Sequence, residues 1–190
     1  MGLGLRQKIQ KLKAMRHSFR FQLKCKLSGF ENNLIYLQRL DKVSLLYILK
    51  KHGAKIGQHV DIETGQSFHN CSDFSKLHIG DHSHIGKNCF IDLRDEIHIS
   101  SNVTISMQCS FITHQDMGNS SLDKIYGKTQ GAIHIKSDCY LGINSTILQG
   151  VHIGKGSIIA AGSLVSKNID INTIAGGTPA KAIKKTPQSN

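Results

Sequence analysis

The chain has 190 residues and a formal net charge of +11 at pH 7, with 6% aromatic residues and no tryptophan. This length predicts one domain, and the low aromatic content argues against a conventional globular core. No segment approaches the roughly 20 consecutive apolar residues that cross a membrane. Because the early apolar residues alternate with lysines, no secretory signal sequence is recognisable, and we expect a cytoplasmic protein.

The positive charge is concentrated at the N-terminus. Residues 1–30 contain eight basic residues, and the first acidic residue is Glu31. Removing this +8 from +11 leaves +3 for the rest of the chain, so general nucleic-acid binding is not indicated. Apolar residues recur at helical spacing between the basic ones and predict a basic amphipathic helix: Leu5, Ile9, Leu12, Phe19 and Leu23.

Residues 1–52 as a whole are predicted to form a helical N-terminal segment. A second apolar stretch, 34–49, ends at 50–53, where two lysines and a histidine precede a glycine, as is typical of a helix end. Two roles for the first helix stay open. It packs over the open end of the repeat domain that follows, or residues 1–28 lie on an anionic membrane surface as a peripheral contact. Both hold if only the first helix reaches outward.

The dominant feature of the remaining chain is an apolar residue at every sixth position. The unbroken run is 135, 141, 147, 153, 159, 165 and 171, and earlier runs are 56, 62, 68, 74, then 79, 85, 91, then 99, 105, 111. A period of six fits neither a helix nor a simple strand alternation. It predicts a chain that turns a corner every six residues, so that three corners make one coil of a parallel β-helix. Residues 53–178 then form about five to six stacked coils, an all-β solenoid.

Small residues occupy other fixed positions of the hexad. Glycine is frequent at the second position, and Cys89, Cys109 and Cys139 take the fifth. The five cysteines form no CxxC pair or disulfide-like framework. We interpret them as buried structural thiols of a reducing cytoplasm.

The hexad pattern lapses between Phe111 and Ile135. Residues 115–131 are polar and contain glycines, which predicts a loop that leaves the solenoid wall. Long loops on rigid scaffolds are frequently functional. His114 lies at the root of this loop, where a rigid coil would hold the imidazole in the geometry that general-base catalysis needs.

Four segments resemble the hexapeptide-repeat (left-handed β-helix) acyltransferases, which include maltose, galactoside and xenobiotic acetyltransferases and polysaccharide-modifying enzymes. The segments are 91–114, which ends in Thr-His, 149–154, 160–167, and Ala-Gly-Gly-Thr-Pro-Ala-Lys at 175–181. The resemblance extends over about residues 53–185. It implies the left-handed sense of the coil, which the spacing alone does not.

The resemblance also implies a site. His114 is then the general base, and acetyl-CoA is a co-substrate that lies between adjacent subunits of a homotrimer. The oxyanion donor is a backbone N–H near Gly142 and Ile143, and Asp92 orients His114, holds the acceptor or serves only in a turn. Backbone amides near Ala161 then hold the pantetheine, which Tyr140 lines, where the family usually has tryptophan. Lys167, Lys181 and Lys184 are candidates for the coenzyme's phosphates, with an ordinary solvated face as the alternative. The other coenzyme candidates are Ala160 and Ser166.

The end of the chain, residues 179–190, is predicted to form a short helix and a tail. Thr178 and Pro179 suit the N-cap and first position of a helix over 179–190 that carries Lys181, Lys184 and Lys185.

Other histidines share one slot of the repeat. His134 and His152 are eighteen residues apart and should stack on successive coils, and His78, His84 and His98 precede an isoleucine in the same way. Imidazole is a good zinc ligand, but we expect surface side chains and no bound metal.

The resulting functional hypothesis is a CoA-dependent O-acetyltransferase that acts on a hydroxyl of a sugar or of a cell-surface polysaccharide precursor. The basic N-terminus favours a glycan on a lipid carrier. Two alternatives remain, namely N-acetylation of an amino group on a nucleotide sugar and a non-catalytic β-helix scaffold.

Overall fold

A computed structural model describes residues 3–187 and confirms the solenoid. The chain winds through short strands that form three parallel sheets, here named A, B and C, one on each side of a triangular prism. Sheet A contains one strand from each of five coils: β1 (Lys55–Ile56), β4 (Leu77–Ile79), β7 (Ile97–Ile99), β12 (Ile133–Ile135) and β15 (His152–Ile153).

Sheets B and C complete each coil. Sheet B contains β2 (Asp61–Ile62), β5 (His84–Ile85), β8 (Thr104–Ile105), β13 (Tyr140–Leu141), β16 (Ile158–Ile159), β18 (Thr173–Gly177) and β19 (Ala180–Lys185). Sheet C contains β3 (Ser67–His69), β6 (Phe90–Asp92), β9 (Ser110–Phe111), β14 (Thr146–Ile147) and β17 (Leu164–Val165). Five coils are complete, and a sixth begins at Ile169, which bridges to Ile153.

The hexad residues stack as the repeat predicts. Ile135 lies on Ile153, and Leu141 lies on Ile159, each eighteen residues later. These side chains fill the prism and are fully buried, which stabilises the fold by about 1.5–3 kcal/mol for each. The first coils are longer, since Ile56 pairs with Ile79 and Ile79 with Ile99.

The corners depend on residues that tolerate positive φ. Between sheets A and B every coil has one left-handed residue, and these positions are His59, His82, Asn102, Asp138, Gly156 and Asn172. Asparagine, aspartate, histidine and glycine are the types most often found there. The sharp corner therefore comes from the backbone preference of one residue in each coil.

The N-terminal segment forms a helical cap on the first coil. It contains α1 (Leu3–Ser28), a 3₁₀ helix (Glu31–Arg39) and α2 (Lys42–Lys51). Asp41 is the N-cap of α2, where its carboxylate accepts from the Ser44 N–H at 3.1 Å. The cap therefore performs the packing role predicted for the first helix, and it shields the open end of the solenoid from water.

Aromatic and aliphatic side chains join this cap to the coils. Phe21 of α1 meets Phe30 edge to face at 5.3 Å between ring centroids, and Phe30 meets Phe74 at the same distance. Leu49 of α2 lines the prism interior together with Ile62 and Phe68 of the first coil. The helices and the solenoid thus share one hydrophobic core.

Two apolar residues of the predicted repeat do not occupy the stacked strand positions that the six-residue period assigns to them. Phe74 is buried but lies in the connection between β3 and β4, outside any strand. Ile171 is 62% exposed. The last coil is shortened, so that Ile169 takes the sheet A position and Ala175 pairs with Ile159 in sheet B.

The predicted C-terminal helix over 179–190 was also wrong as far as the described residues extend. Thr178 and Pro179 form a turn with a cis peptide bond, and residues 180–185 form β19, antiparallel to β18. The physical reason is that β18 ends the stack and would otherwise leave unpaired N–H and C=O groups along the sheet edge. Residues 188–190 lie outside the described part of the chain.

In the third coil, the residues that connect sheet C to sheet A leave the prism and form an arm. β10 (His114–Gln115) and β11 (Thr129–Gln130) pair as an antiparallel ribbon, and α3 (Asp123–Tyr126) lies between them. Asp116, where the arm begins, forms ion pairs with Lys128 at 3.2 Å and with Arg94 at 3.6 Å. His114 is the first residue of the arm.

Candidate active site

His114 lies at the corner where the third coil passes from sheet C toward sheet A. β9 positions it, because Ile112 continues the ladder by donating its N–H to the Ile147 carbonyl. Thr113 is fully buried, whereas the His114 side chain is 20% exposed. The imidazole is therefore held by a rigid wall and remains accessible from outside.

Asp92 lies one coil earlier at the same corner and contacts His114. Its side chain is 1% exposed, and its Oδ2 is 2.7 Å from His114 Nδ1. An ionised carboxylate only accepts hydrogen bonds, so Nδ1 carries the hydrogen, and in the neutral imidazole Nε2 then carries the lone pair. Among the roles that the sequence left open for Asp92, this contact favours orienting His114.

Further hydrogen bonds fix the carboxylate itself. Thr113 donates to Oδ2 through its backbone N–H at 2.9 Å and its hydroxyl at 2.8 Å, and Asn70 Nδ2 donates to Oδ1 at 2.8 Å. Burial by itself would raise the pKa of Asp92, but the hydrogen bonds from His114, Asn70 and Thr113 outweigh it and lower the pKa below its usual range. Asp92 is therefore an anion next to the imidazole.

Asn70 is a site residue that the sequence analysis missed. It has a left-handed backbone (φ 54°) and lies one coil before Asp92, since His69 pairs with Asp92 in sheet C. Arg94 Nη2 in turn donates to Asn70 Oδ1 at 3.4 Å. The sequence did not show that Asn70 stacks near Asp92 and His114, because the first coils are longer than eighteen residues. Counting in hexads therefore does not align these three positions.

The predicted coenzyme residues are grouped on sheet B and its corner with sheet C. Tyr140 is 42% exposed on the outer face of sheet B, and its hydroxyl accepts from Ser106 Oγ at 3.0 Å. Gly142 and Ile143 follow at the corner, directly beneath Ala160 and Ala161 of the next coil. A Cβ on Gly142 would lie 2.5 Å from the Ala161 nitrogen, so glycine is required for this close stacking.

This surface suits an extended acyl-carrying chain. The small side chains of Ala160 and Ala161 leave the backbone accessible, and the exposed Tyr140 and Ile143 provide apolar contact. An open groove of about 990 Å³ lies on sheet B toward its corner with sheet A, lined by residues that include Tyr140, Ile158 and Lys155. We call this surface the sheet B wall.

The three lysines predicted to bind the coenzyme's phosphates, together with Ser166, separate into two groups. Lys181 and Lys184 are exposed on β19, which extends the sheet B wall. Ser166 and Lys167 instead follow β17 and lie at the corner between sheets C and A, two coils beyond His114. The four residues therefore do not form one cluster within a single chain.

His114 and the sheet B wall are likewise separated within one chain. In a triangular prism, the corner between sheets C and A is opposite sheet B. One side of five to six residues is roughly 15–20 Å long at 3.3 Å per residue. A single copy therefore does not place His114 next to Gly142 and Ala161.

The remaining predicted features are placed as follows. The five cysteines are free thiols, and all but Cys25 are buried. Burial raises the pKa of Cys71 to about 12, in keeping with an inert structural thiol. His78, His98, His134 and His152 stack on sheet A as expected. His84 lies on sheet B, with its Nδ1 3.0 Å from Asp61. None of the described helices is long and apolar enough to span a membrane.

Two family models match the chain. One, described as bacterial transferase hexapeptide (six repeats), matches residues 132–167, and one described as hexapeptide repeat of succinyl-transferase matches residues 76–107. A curated relative, the 2,3,4,5-tetrahydropyridine-2,6-dicarboxylate N-acetyltransferase of Staphylococcus aureus, is 44% identical over 54 residues, or 28% of this chain. The chain spans about a quarter (23%) of the length of that relative.

Solved structures share the fold over nearly the whole chain. A hexapeptide-repeat acetyltransferase of Vibrio cholerae O1 biovar eltor, complexed with acetyl coenzyme A, has a TM-score of 0.68 and 25% identity, and the match covers 93% of this chain and 88% of that one. A maltose O-acetyltransferase of Clostridium difficile 630 has a TM-score of 0.57 and 20% identity, covering 94% and 87%. The chain is thus similar to transferase hexapeptide repeats over residues 76–107 and 132–167, and both segments lie within this parallel β-helix.

Proposed function

We propose that the chain is an acetyl-CoA-dependent O-acetyltransferase with His114 as its general base. The observation that carries the proposal is the Asp92–His114 contact of 2.7 Å, which in the neutral imidazole places the hydrogen on Nδ1 and the lone pair on Nε2, at an accessible corner. The similarity to an acetyltransferase complexed with acetyl coenzyme A supports the choice of acyl donor.

The reaction follows from these positions. Nε2 of His114 takes the proton of an acceptor hydroxyl while that oxygen bonds to the thioester carbonyl carbon. The carbonyl oxygen becomes an oxyanion, for which a backbone N–H near Gly142 and Ile143 is the proposed donor. The C–S bond then breaks, and the leaving thiolate takes the proton from His114. Asp92 stabilises the imidazolium that exists between these two proton transfers.

The site is completed by a second copy of the chain. His114 and the sheet B wall lie on opposite parts of the prism, so both reach one thioester only if the corner of one copy faces the wall of another. A closed ring of three copies repeats this contact head to tail. In such a homotrimer, Ser166 and Lys167 lie on the His114 side of the cleft and Lys181 and Lys184 on the other.

The acceptor is proposed to be a hydroxyl of a sugar or of a cell-surface polysaccharide precursor. The rival is an amino group on a nucleotide sugar, which the partial match to a Staphylococcus aureus N-acetyltransferase favours. Mild alkali separates the two products, because it cleaves an ester and leaves an amide intact.

The test is CoA release from acetyl-CoA against a panel of glycans and amino sugars, with the product identified by mass. We expect His114→Ala to lose about 10²–10⁴ in turnover. The matched control is His82→Asn, which removes an imidazole on another corner and keeps a residue type that tolerates positive φ there. Turnover of His114→Ala close to that of the wild type would exclude the general-base role, and the absence of any acetyl transfer by the wild type would favour a non-catalytic scaffold.

We further propose that this protein is cytoplasmic and contacts the membrane surface through α1. Seven apolar residues on this helix, which we name the outer stripe, are between 46% and 79% exposed: Leu5, Ile9, Leu12, Met15, Phe19, Leu23 and Leu27. At 100° per residue they span about 120° of the helix. The packed face, with Ala14, Ser18 and Phe21, lies about 180° away, so docking on the cap leaves the stripe free.

Charge indicates what this stripe would contact. α1 has no acidic residue. At 100° per residue, Lys11 borders the outer stripe on one side and Arg20 and Lys24 border it on the other, whereas Lys8 and Lys26 lie within its arc. An apolar stripe with lysine and arginine at its borders is typical of a helix that lies in an anionic bilayer interface. Such contact would bring the acetyltransferase site near a lipid-linked glycan.

Vesicle sedimentation tests this contact. Deleting α1 would strip Phe21 from the core, so we choose the double variant Leu12→Glu/Phe19→Glu, with Ile125→Glu as a control that places the same charge on an exposed apolar residue of the arm. We expect the wild type and the control to sediment with vesicles that contain phosphatidylglycerol, and the double variant to stay in solution. Equal sedimentation of all three would refute the proposal. If the wild type does not sediment and the double variant no longer forms a trimer, the outer stripe instead contacts a second copy of the chain.

A further inference from the structure

A row of four histidines runs along the outer face of sheet A, and we name it the histidine ladder: His78, His98, His134 and His152. They occupy paired positions on β4, β7, β12 and β15. Ring centroids of neighbours are 4.3, 4.7 and 4.5 Å apart in that order. The parallel register of the coils therefore repeats one imidazole at the spacing of the strands.

A carboxylate lies beside the end of the histidine ladder that His78 and His98 form. Glu96 lies just before β7, and its Oε2 is 2.7 Å from His98 Nε2. His78, Glu96 and His98 each offer a ligand atom, and these atoms all lie within 4.8 Å of one another. Nε2 of His78 lies 3.1 Å from the Ser75 carbonyl, so one ring nitrogen is already held by a backbone oxygen, as is usual for histidines that bind metal.

The surroundings of the ladder include charges of both signs. Lys55 and Lys136 lie near its imidazoles, and Glu96 supplies a negative charge beside His78 and His98. A metal ion binds imidazole in its neutral form, which presents a lone pair.

We propose that His78, Glu96 and His98 bind one zinc ion. Two imidazoles and one carboxylate are a common zinc ligand set, and atoms bound to one tetrahedral zinc lie roughly 3.4 Å apart at bond lengths of about 2.1 Å. Small side-chain rotations close the present spacing, and water completes the coordination on the exposed side. The ion would cross-link the second and third coils.

The proposed zinc site adjoins the His114 corner without being part of it. Asp95, next to Glu96, donates its backbone N–H to Thr113 Oγ1 at 3.1 Å. Thr113 in turn supports Asp92. A bound ion would therefore stiffen the segment that carries these contacts, and its role is structural.

The test is titration of the tag-free protein with Co²⁺, whose visible bands report tetrahedral coordination, followed by displacement with Zn²⁺. We expect one saturable equivalent in the wild type, and at least about tenfold weaker binding in His98→Ala and in Glu96→Gln. The control is His82→Asn, which removes an imidazole outside the ladder, keeps a residue type that tolerates positive φ, and should bind like the wild type. Zn²⁺ should also raise the unfolding temperature of the wild type more than that of Glu96→Gln.

Either of two results would overturn the proposal. One is the absence of a saturable tetrahedral Co²⁺ spectrum in the wild type. The other is wild-type affinity in both ligand variants. Circular dichroism on Glu96→Gln, which keeps the size of the side chain, distinguishes a lost ligand from a lost fold.

Discussion

Asp92 holds His114 from the coil below, with Oδ2 2.7 Å from Nδ1. The same oxygen accepts from both the backbone N–H and the hydroxyl of Thr113, while Oδ1 accepts from Asn70 Nδ2. Three successive coils thus contribute to one hydrogen-bond network. Because backbone ladders fix the coils relative to one another, the imidazole is positioned without any ligand.

The variant Asp92→Asn tests this positioning role. The amide side chain would keep an acceptor for Thr113 but would lose the negative charge beside the imidazole. We expect kcat to fall on the order of 10² or more, because the base is mis-oriented and its protonated form is no longer stabilised. The rate of CoA release at saturating substrate measures kcat. An unchanged kcat with a lower unfolding temperature would instead mean that Asp92 is only structural.

Sharing of the site between copies is tested by mixing two inactive variants. His114→Ala removes the base, and Ala161→Trp blocks the sheet B wall. If chains exchange at random and each site takes His114 from one copy and the wall from the next, half times half of the sites are intact, and about one quarter of wild-type activity returns. Refolding equal amounts of the two variants together and measuring CoA release gives the answer. A site built within one chain would give no recovery on mixing.

Gly86 is required for the stacking of the second coil on the third. A Cβ at this position would lie 2.5 Å from the backbone nitrogen of Met107. We expect Gly86→Ala to reduce the free energy of unfolding by about 1–3 kcal/mol, since backbone has to move to relieve the overlap. Urea unfolding should show a lower midpoint at an unchanged m-value. Gly4→Ala, where a Cβ would meet nothing within 4 Å, serves as the control and should show no such loss.

The Asp41 carboxylate makes the stability of the helical cap depend on pH. Burial raises the pKa of Asp41, but hydrogen bonds from Lys13 of α1 and from Ser44 outweigh this and hold the pKa at about 2, below the usual 3.8. The ionised group therefore stabilises the fold above about pH 4, and this contribution is lost as the pH falls through 2. Asp41→Ala should cost about 1 kcal/mol near neutral pH through loss of the N-cap.

The difference between the wild type and Asp41→Ala should shrink as the pH falls toward about 2. Urea unfolding of both proteins near pH 7 and near pH 2 measures it. A difference that stays constant over this range would show that the carboxylate charge contributes nothing to the cap.

Much of the architecture was predictable because it follows from local periodicity. An apolar residue every sixth position requires regular corners, and the lapse between Phe111 and Ile135 shows where the wall opens. His114 was predicted as a candidate base for the same reason, since it stands at the edge of that lapse. The end of the chain was mispredicted because Thr178 and Pro179 suit a helix start locally, whereas the open edge of β18 favours a strand there.

Spacing along the chain was enough to tell which residues point into the prism and which residue begins the arm. It was not enough to show that Asn70, Asp92 and His114 meet, or that Gly142 and Ala161 lie on the opposite side. Coils of unequal length break the simple count between residues that stack. Contacts across coils therefore depend on where insertions fall, and these become visible only when the strands are paired.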